Sequence, residues 1–195
     1  MTMSHSLLPE KNDMLFQNGN HDDEVIIPVI SKTFIAYAFS YKLAADGIAR
    51  QYLDAPESFY QNFQVFPLLF LYRQYIELSL KAIISETDKI TGTDKIQDNF
   101  HHRLLDLWAV AQNVIVEIPV NIKESTLLAV EELIKEFNKN DPLSFSFRYP
   151  MNKDGEIVPI KLHQISIKNF HSTMSKLSNF FDEVFGHLYH IGHFY

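Results

Sequence analysis

Apolar side chains recur at intervals of three and four residues along most of the chain, which is the spacing of amphipathic helices. The longest stripe lies near the C-terminus and consists of Phe170, Met174, Leu177, Phe181, Val184 and Leu188. The pattern predicts helices over about 28–53, 64–86, 102–115, 119–138 and 165–189. We therefore expect a mainly α fold, a bundle of about five helices.

Two segments depart from the helical pattern. Residues 1–24 are polar and lack periodicity, so we expect an N-terminal extension ahead of a single domain over 25–195. In the stretch LSFSFRYPMNKDGEIVPI, alternating small polar and aromatic residues are followed by turn-forming residues and then by a β-prone run. This order predicts a small β-hairpin over about 144–160, inserted between two helices.

Composition excludes several classes of function. The net charge of −7 disfavours non-specific binding to DNA and to anionic membranes, because both attract positively charged proteins. The absence of Cys excludes disulfides, Cys-ligated zinc, iron–sulfur clusters and thiol catalysis. No signal peptide is recognisable, and the longest strongly apolar run, 65–71, is too short to span a bilayer. We expect a cytoplasmic protein without a cofactor, since the sequence contains no phosphate-binding loop.

The helix predicted over 64–86 is apolar almost all round its circumference, as expected of a helix buried inside a bundle. It nevertheless carries Arg73, Glu77 and Lys81 at four-residue intervals, on the face that also holds Leu80 and Ile84. Charges on an apolar face need partners, because an unpaired buried charge is costly. Either the three residues form a closed structural ion-pair ladder, or they line a polar pocket for an anionic ligand.

Two further residues are candidates for a site. His102 precedes the apolar part of the third predicted helix, where it would act as a cap, as a partner of Glu77 or as a site residue. Arg148 lies between Phe147 and Tyr149, and in an extended segment its side chain would point away from both. It would form a salt bridge or recognise an anion through its planar guanidinium.

A histidine-rich end, GHLYHIGHFY, places His187, His190 and His193 at three-residue intervals. His187 and His190 would share a helix face, an arrangement that can bind a metal ion. The chain has no HExxH motif, however, and Gly192 is expected to end the helix before His193. We therefore predict no metal site, and expect a frayed end or a dimer contact instead.

The stretch FPLLFLYRQYIELSLKAIIS, followed by HHRLLDLW, resembles the HEPN superfamily of small helical bundles. Members occur in prokaryotic toxin–antitoxin, phage-defence and RNA-processing systems. The resemblance rests on an Arg-x3-Glu-x2-Leu-Lys helix followed by a His-x-Leu helix start, and it covers about 60–160. The matching residues are Arg73, Glu77, Leu80, Lys81, His102 and Leu104.

Ribonuclease members of the superfamily carry an Arg that is followed, four to six residues later, by a His near the last helix. The Arg residues of this chain are Arg50, Arg73, Arg103 and Arg148, and none is followed by a His at that spacing. Such a pair would supply acid–base catalysis and phosphate stabilisation. The resemblance therefore implies binding of nucleotides, RNA or partner proteins rather than catalysis, and it implies a homodimer.

Three functions stay open. The first is a HEPN-like module of a bacterial defence or toxin–antitoxin system, which binds a nucleotide or RNA phosphate through Arg73, Lys81, His102 and Arg148, with Glu77 in the same site. The second is a structural domain for protein–protein interaction or dimerisation, in which the charged row is a closed network. The third is a metal-independent ribonuclease with a divergent site built from His102 and Arg148.

Overall fold

The structure is a computed structural model that describes residues 33–55, 61–99, 101–118, 122–158, 160 and 162–192, together with Leu8, Pro9, Lys11 and Leu15. The chain divides into two compact units, 1–31 and 32–195. The boundary expected between residues 24 and 25 lies outside the described residues and stays a prediction. All the described helices belong to the second unit.

Six helices are described: α1 (Phe34–Asp54), α2 (Gln61–Thr91), α3 (Lys95–Asp98), α4 (Leu104–Glu117), α5 (Glu124–Asn140) and α6 (Ile167–Gly192). The predicted mainly α bundle is thus confirmed for the part of the chain that the structure describes. α3 is one short turn, and the five longer helices correspond to the five predicted ones. None of these helices is both long enough and apolar enough to cross a bilayer.

Residues next to the helix termini fix the start of α1 and the end of α2. Thr33 caps α1, because its hydroxyl oxygen accepts a hydrogen bond of 3.2 Å from a backbone N–H of the first turn. α2 runs beyond its predicted end to Thr91, and Gly92 follows in the left-handed conformation with φ of 68°. The Thr93 N–H then donates to the Asp88 carbonyl at 3.1 Å, which closes the last turn.

α2 is the central helix and packs against α1, α3, α4 and α6. It is buried on nearly every side over 68–84, as its apolar circumference predicts. α6 buries its apolar stripe in the same core, where Tyr75 of α2 meets Phe181 of α6 edge-on with 5.7 Å between ring centroids. On α1 the buried positions are small, and they are Ala38, Ala45 and Ala49.

The predicted β-hairpin over 144–160 is wrong. The described residues of this segment form a single antiparallel bridge, between Met151 and Ile157, and no strand. The part over 144–149 is wound into turns, in which two successive N–H groups donate to the Phe145 carbonyl at 3.0 and 3.1 Å. These local hydrogen bonds occupy backbone groups that a strand would need for its ladder, so they override the alternating pattern.

Candidate functional site

The charged row of α2 lies inside the bundle rather than on its surface. Arg73, Glu77 and Lys81 are 0%, 1% and 3% exposed. Removing ions from water costs several kcal/mol for each of them unless partners compensate the charge. The contacts of these three side chains therefore decide whether the row is a pocket or a closed network.

Glu77 is the centre of the row and accepts hydrogen bonds at both carboxylate oxygens. Its Oε2 accepts from Nη1 of Arg73 at 2.7 Å, and its Oε1 accepts from Nζ of Lys81 at 2.9 Å. Both contacts run along one face of α2 at i, i+4 spacing. Nδ1 of His102, which lies just before α4, is 2.8 Å from the same Oε1.

Arg73 connects this centre to two other parts of the fold. Its Nη2 donates to the backbone carbonyl of His102 at 2.6 Å. Its Nε donates to the backbone carbonyl of Asp141 at 3.4 Å and lies 3.3 Å from Oδ2 of the same residue. The planar guanidinium thus joins α2, the start of α4 and the residue that follows α5.

Asp141 belongs to this network, although no sequence pattern pointed to it. Its Oδ1 accepts hydrogen bonds from the N–H groups of Phe145 at 2.6 Å and Ser146 at 2.8 Å, which holds the turn after α5. An Asp that follows a helix and precedes Pro and Ser is a turn signal, and that signal was present in the sequence. Its pairing with Arg73 spans 68 residues and has no local signature.

The buried charges of this cluster balance. Two cations, Arg73 and Lys81, lie against two carboxylates, Glu77 and Asp141, and all four side chains are at most 3% exposed. No net positive charge is left over within this group to attract a phosphate. We call these four residues, together with His102, the charge lock.

The pKa of Glu77 reflects this arrangement. Burial alone would raise the pKa, but the hydrogen bonds from Lys81, His102 and Arg73 outweigh burial and hold the pKa below its ordinary value of 4.5. Glu77 is therefore ionised at neutral pH. Because an ionised carboxylate accepts hydrogen bonds and cannot donate them, the ring of His102 donates its Nδ1–H to Glu77.

His102 is the one residue of the charge lock that faces solvent. Its side chain is 67% exposed, although its Nδ1 is held by the buried Glu77. Of the roles expected for His102, the contact with Glu77 is the one that the geometry provides. The contact with Glu77 fixes the orientation and the tautomer of this ring.

Arg148 is exposed and belongs to the turns over 144–149. Its Nε donates to the Ser144 carbonyl at 2.7 Å, and its guanidinium carbon lies 5.6 Å from the ring centre of Phe70 and 5.4 Å from that of Tyr149. The expectation that its side chain points away from Tyr149 is wrong, because the segment is a turn rather than a strand.

A second polar cluster, which the sequence did not reveal, joins α1 to α2. Asp46 accepts hydrogen bonds from the hydroxyl of Tyr72 at 2.6 Å and from Nζ of Lys42 at 2.7 Å, and Nε2 of His171 lies 3.7 Å away. Burial, reinforced by the hydrogen bond to Asp46, raises the pKa of Tyr72. The phenol stays protonated and acts as a structural donor.

The two described histidines near the C-terminus, His187 and His190, are not gathered into a metal site. Among the described residues, no group of three or more His, Asp or Glu side chains is arranged to hold a metal ion. His187 and His190 lie on α6, whereas His193 lies outside the described residues.

The charge lock predicts a large stability loss for Arg73→Ala. Removal of Arg73 leaves Glu77 and Asp141 buried with less compensation, so the free energy of unfolding should fall by about 3–5 kcal/mol. The matched control is Arg103→Ala, since Arg103 is 66% exposed and pairs with Asp106 on the surface, where about 1 kcal/mol or less is expected. Urea unfolding followed by circular dichroism measures both. Equal losses in the two variants would contradict a buried lock.

The lowered pKa of Glu77 predicts loss of stability in acid. The folded chain binds fewer protons than the unfolded chain near pH 4.5, so this group stabilises fully above that pH and its contribution disappears as pH falls through the lower folded pKa. NMR titration of the Glu77 carboxyl carbon measures the pKa. We expect a midpoint below 4.5 that rises in Lys81→Met, and a midpoint at or above 4.5 in the wild type would overturn the assignment.

Comparison with known proteins adds no family. No protein-family model matches the chain, and neither a curated protein nor a solved structure is significantly similar to it. The HEPN resemblance therefore rests on the sequence residues that carry it, and function has to be argued from the geometry described above.

Proposed function

We propose that this chain is a non-catalytic, HEPN-like helical module that works by binding protein, and that its first partner is a second copy of itself. In this proposal the charge lock is an internal structural device and not a ligand pocket. The HEPN resemblance supports a role in a bacterial defence or toxin–antitoxin type system.

The observation that carries the proposal is an exposed seam on α1. Phe39, Leu43 and Gly47 follow one another at four-residue intervals and therefore share one helix face. Phe39 is 59% exposed and Leu43 is 49% exposed, and space is open above Gly47, where an added Cβ would meet nothing within 4 Å. Exposed apolar side chains grouped on one face are typical of interaction surfaces.

The seam is complementary to itself, which favours a second copy as the occupant. A two-fold interface uses the same patch on both subunits. If two α1 helices cross in antiparallel orientation at Leu43, Phe39 lies four residues before the crossing and Gly47 four residues after it. Phe39 then faces the open space above the partner subunit's Gly47, so each subunit offers one projecting ring and one notch.

The contacts of the charge lock weigh against its use as a phosphate site. A nucleotide at Arg73 or Lys81 would have to displace Glu77 or Asp141, and it would leave a buried carboxylate without its cation. The same contacts give these side chains a structural role, since they connect α2 to the start of α4 and to the residue that follows α5. Binding through the α1 seam requires no such rearrangement.

Gly47→Leu should separate dimerisation from folding. The added side chain fills the notch and should shift the monomer–dimer equilibrium towards monomer, whereas loss of a helical glycine should stabilise the monomer by about 1 kcal/mol. The matched control is Gly186→Leu, because Gly186 is also helical, also has open space above it and lies on α6. Analytical ultracentrifugation gives the association state, and urea unfolding gives the stability.

We expect wild type and Gly186→Leu to sediment as dimers and Gly47→Leu as a monomer over the same concentration range. A monomeric wild type at high concentration would contradict self-association. A dimer that survives both Gly47→Leu and Phe39→Ser would show that another surface is used.

A second candidate function is favoured by the orientation of His102. A solvent-facing imidazole held by a buried carboxylate resembles the acid–base pairs of metal-independent phosphodiester cleavage, and Arg148 adds an exposed cation. In this candidate, His102 and Arg148 bind an RNA phosphate. His102 either serves binding alone or takes part in cleavage as well, while Arg73 and Lys81 remain structural.

The second candidate predicts that His102→Ala abolishes any binding or cleavage of short RNA in the presence of EDTA. His101→Ala is the control, since His101 is adjacent, is 33% exposed and lies 4.0 Å from Asp106 instead of Glu77. Cleavage is followed on labelled RNA, and binding by fluorescence anisotropy. An equal effect of both substitutions, or no RNA binding by the wild type at millimolar nucleotide, would remove this candidate.

A further inference from the structure

A cavity of about 360 Å³ lies on the side of the bundle formed by α5 and α6. Its walls come from both helices, from Leu69 of α2 and from Phe147 in the turn after α5. Residues 162 and 164–166, which precede α6, complete them. Its size falls in the range of roughly 300–1,000 Å³ that is typical of small-molecule sites. The charge lock and the α1 seam contribute no residue to it.

The inner wall of the cavity is apolar and buried. Leu69, Phe147, Met174 and Leu177 are each at most 5% exposed. Two further rings, Phe137 and Phe170, line the cavity and pack on each other with 5.8 Å between their centroids. Aromatic rings in such a wall favour another aromatic ring as a partner, through edge-to-face or offset stacking.

The rim of the cavity is polar, and the described residues that form it carry no positive charge. It is formed by amide, hydroxyl and carboxylate side chains, namely Glu136, Asn140, Gln164, Ser166, Asn169 and Thr173. Among the described residues that line the cavity, no Lys, Arg or His is present, and Glu136 is the ionisable group. An anionic group of a ligand would lose its hydration there without gaining contact with a positively charged side chain. Binding of an anionic ligand is therefore disfavoured.

We propose that this cavity binds a neutral or cationic aromatic small molecule, with the ring against the phenylalanine side chains of the wall and the polar end at the amide and carboxylate rim. The site differs in chemistry from a nucleotide site, since the described residues that line it offer no cation to compensate a phosphate. It is independent of self-association through α1.

The charge lock supports one wall of this cavity. Phe147 belongs to the turn that Asp141 holds through the Phe145 and Ser146 N–H groups, and Asp141 itself lies against Arg73. The ring of Phe147 therefore keeps its place because the turn is anchored to the buried network.

The test uses two fluorescent probes with the same rings and different charge. N-phenylnaphthylamine is neutral, and anilinonaphthalene sulfonate adds one sulfonate to the same skeleton. We expect the neutral probe to bind the full-length protein saturably, and the sulfonate to bind about tenfold more weakly or worse, which corresponds to about 1.4 kcal/mol. Equal affinities, or tighter binding of the sulfonate, would overturn the assignment of ligand charge.

Two substitutions at the rim block the cavity, Thr173→Phe and Asn169→Trp. If one variant fails to fold, the other still tests the proposal. Each should lower the affinity for the neutral probe about tenfold. Thr126→Phe is the matched control, because it adds the same ring to an exposed position of α5 outside the cavity. Phe39→Ser, in the α1 seam, should leave the affinity unchanged.

Probe binding that is retained in both blocked variants, or that is lost in Phe39→Ser, would place the probe on a surface and overturn the proposal. The seam variant changes α1 alone and the cavity variants change the cavity alone. A failure of ligand binding in the cavity is therefore distinguishable from a failure of self-association through α1.

Discussion

The fold depends on how one buried carboxylate is compensated. Glu77 lies at the centre of the central helix and accepts hydrogen bonds from Arg73 and Lys81 on the same helix and from His102 before α4. Arg73 extends this contact to Asp141, which closes the turn after α5. One network thus joins three segments that are far apart in the chain. Removal of one charged member leaves its partner buried without a counter-charge, which is costly.

This network also decides which residues remain free to act on other molecules. Two of the four cations that the sequence suggested for a phosphate site, Arg73 and Lys81, are held by carboxylates inside the bundle. His102 and Arg148 remain at the surface. Two apolar features are also open to other molecules, namely the α1 seam and the cavity between α5 and α6. We therefore propose that the chain recognises protein and neutral or cationic ligands.

Much of this could be predicted from local patterns. The spacing of Arg73, Glu77 and Lys81 placed them on one face, and the apolar circumference of α2 required that face to be buried. The role of Asp141 could not be predicted, because its partner lies 68 residues away and turn signals carry no information on tertiary contacts. The prediction of a β-hairpin was wrong for a related reason. Alternation predicts a strand only where no side chain binds the backbone N–H groups, and the Asp141 carboxylate accepts hydrogen bonds from two of them.

The central claim is that Arg73 and Glu77 act as one unit inside the bundle. A double-mutant cycle tests it, with the unfolding free energies of wild type, Arg73→Met, Glu77→Leu and the double variant measured in urea. We expect the double variant to be more stable than the sum of the single losses implies, by at least about 2 kcal/mol, because each single variant leaves the other charge buried without its partner. Losses that add to within about 0.5 kcal/mol would contradict it.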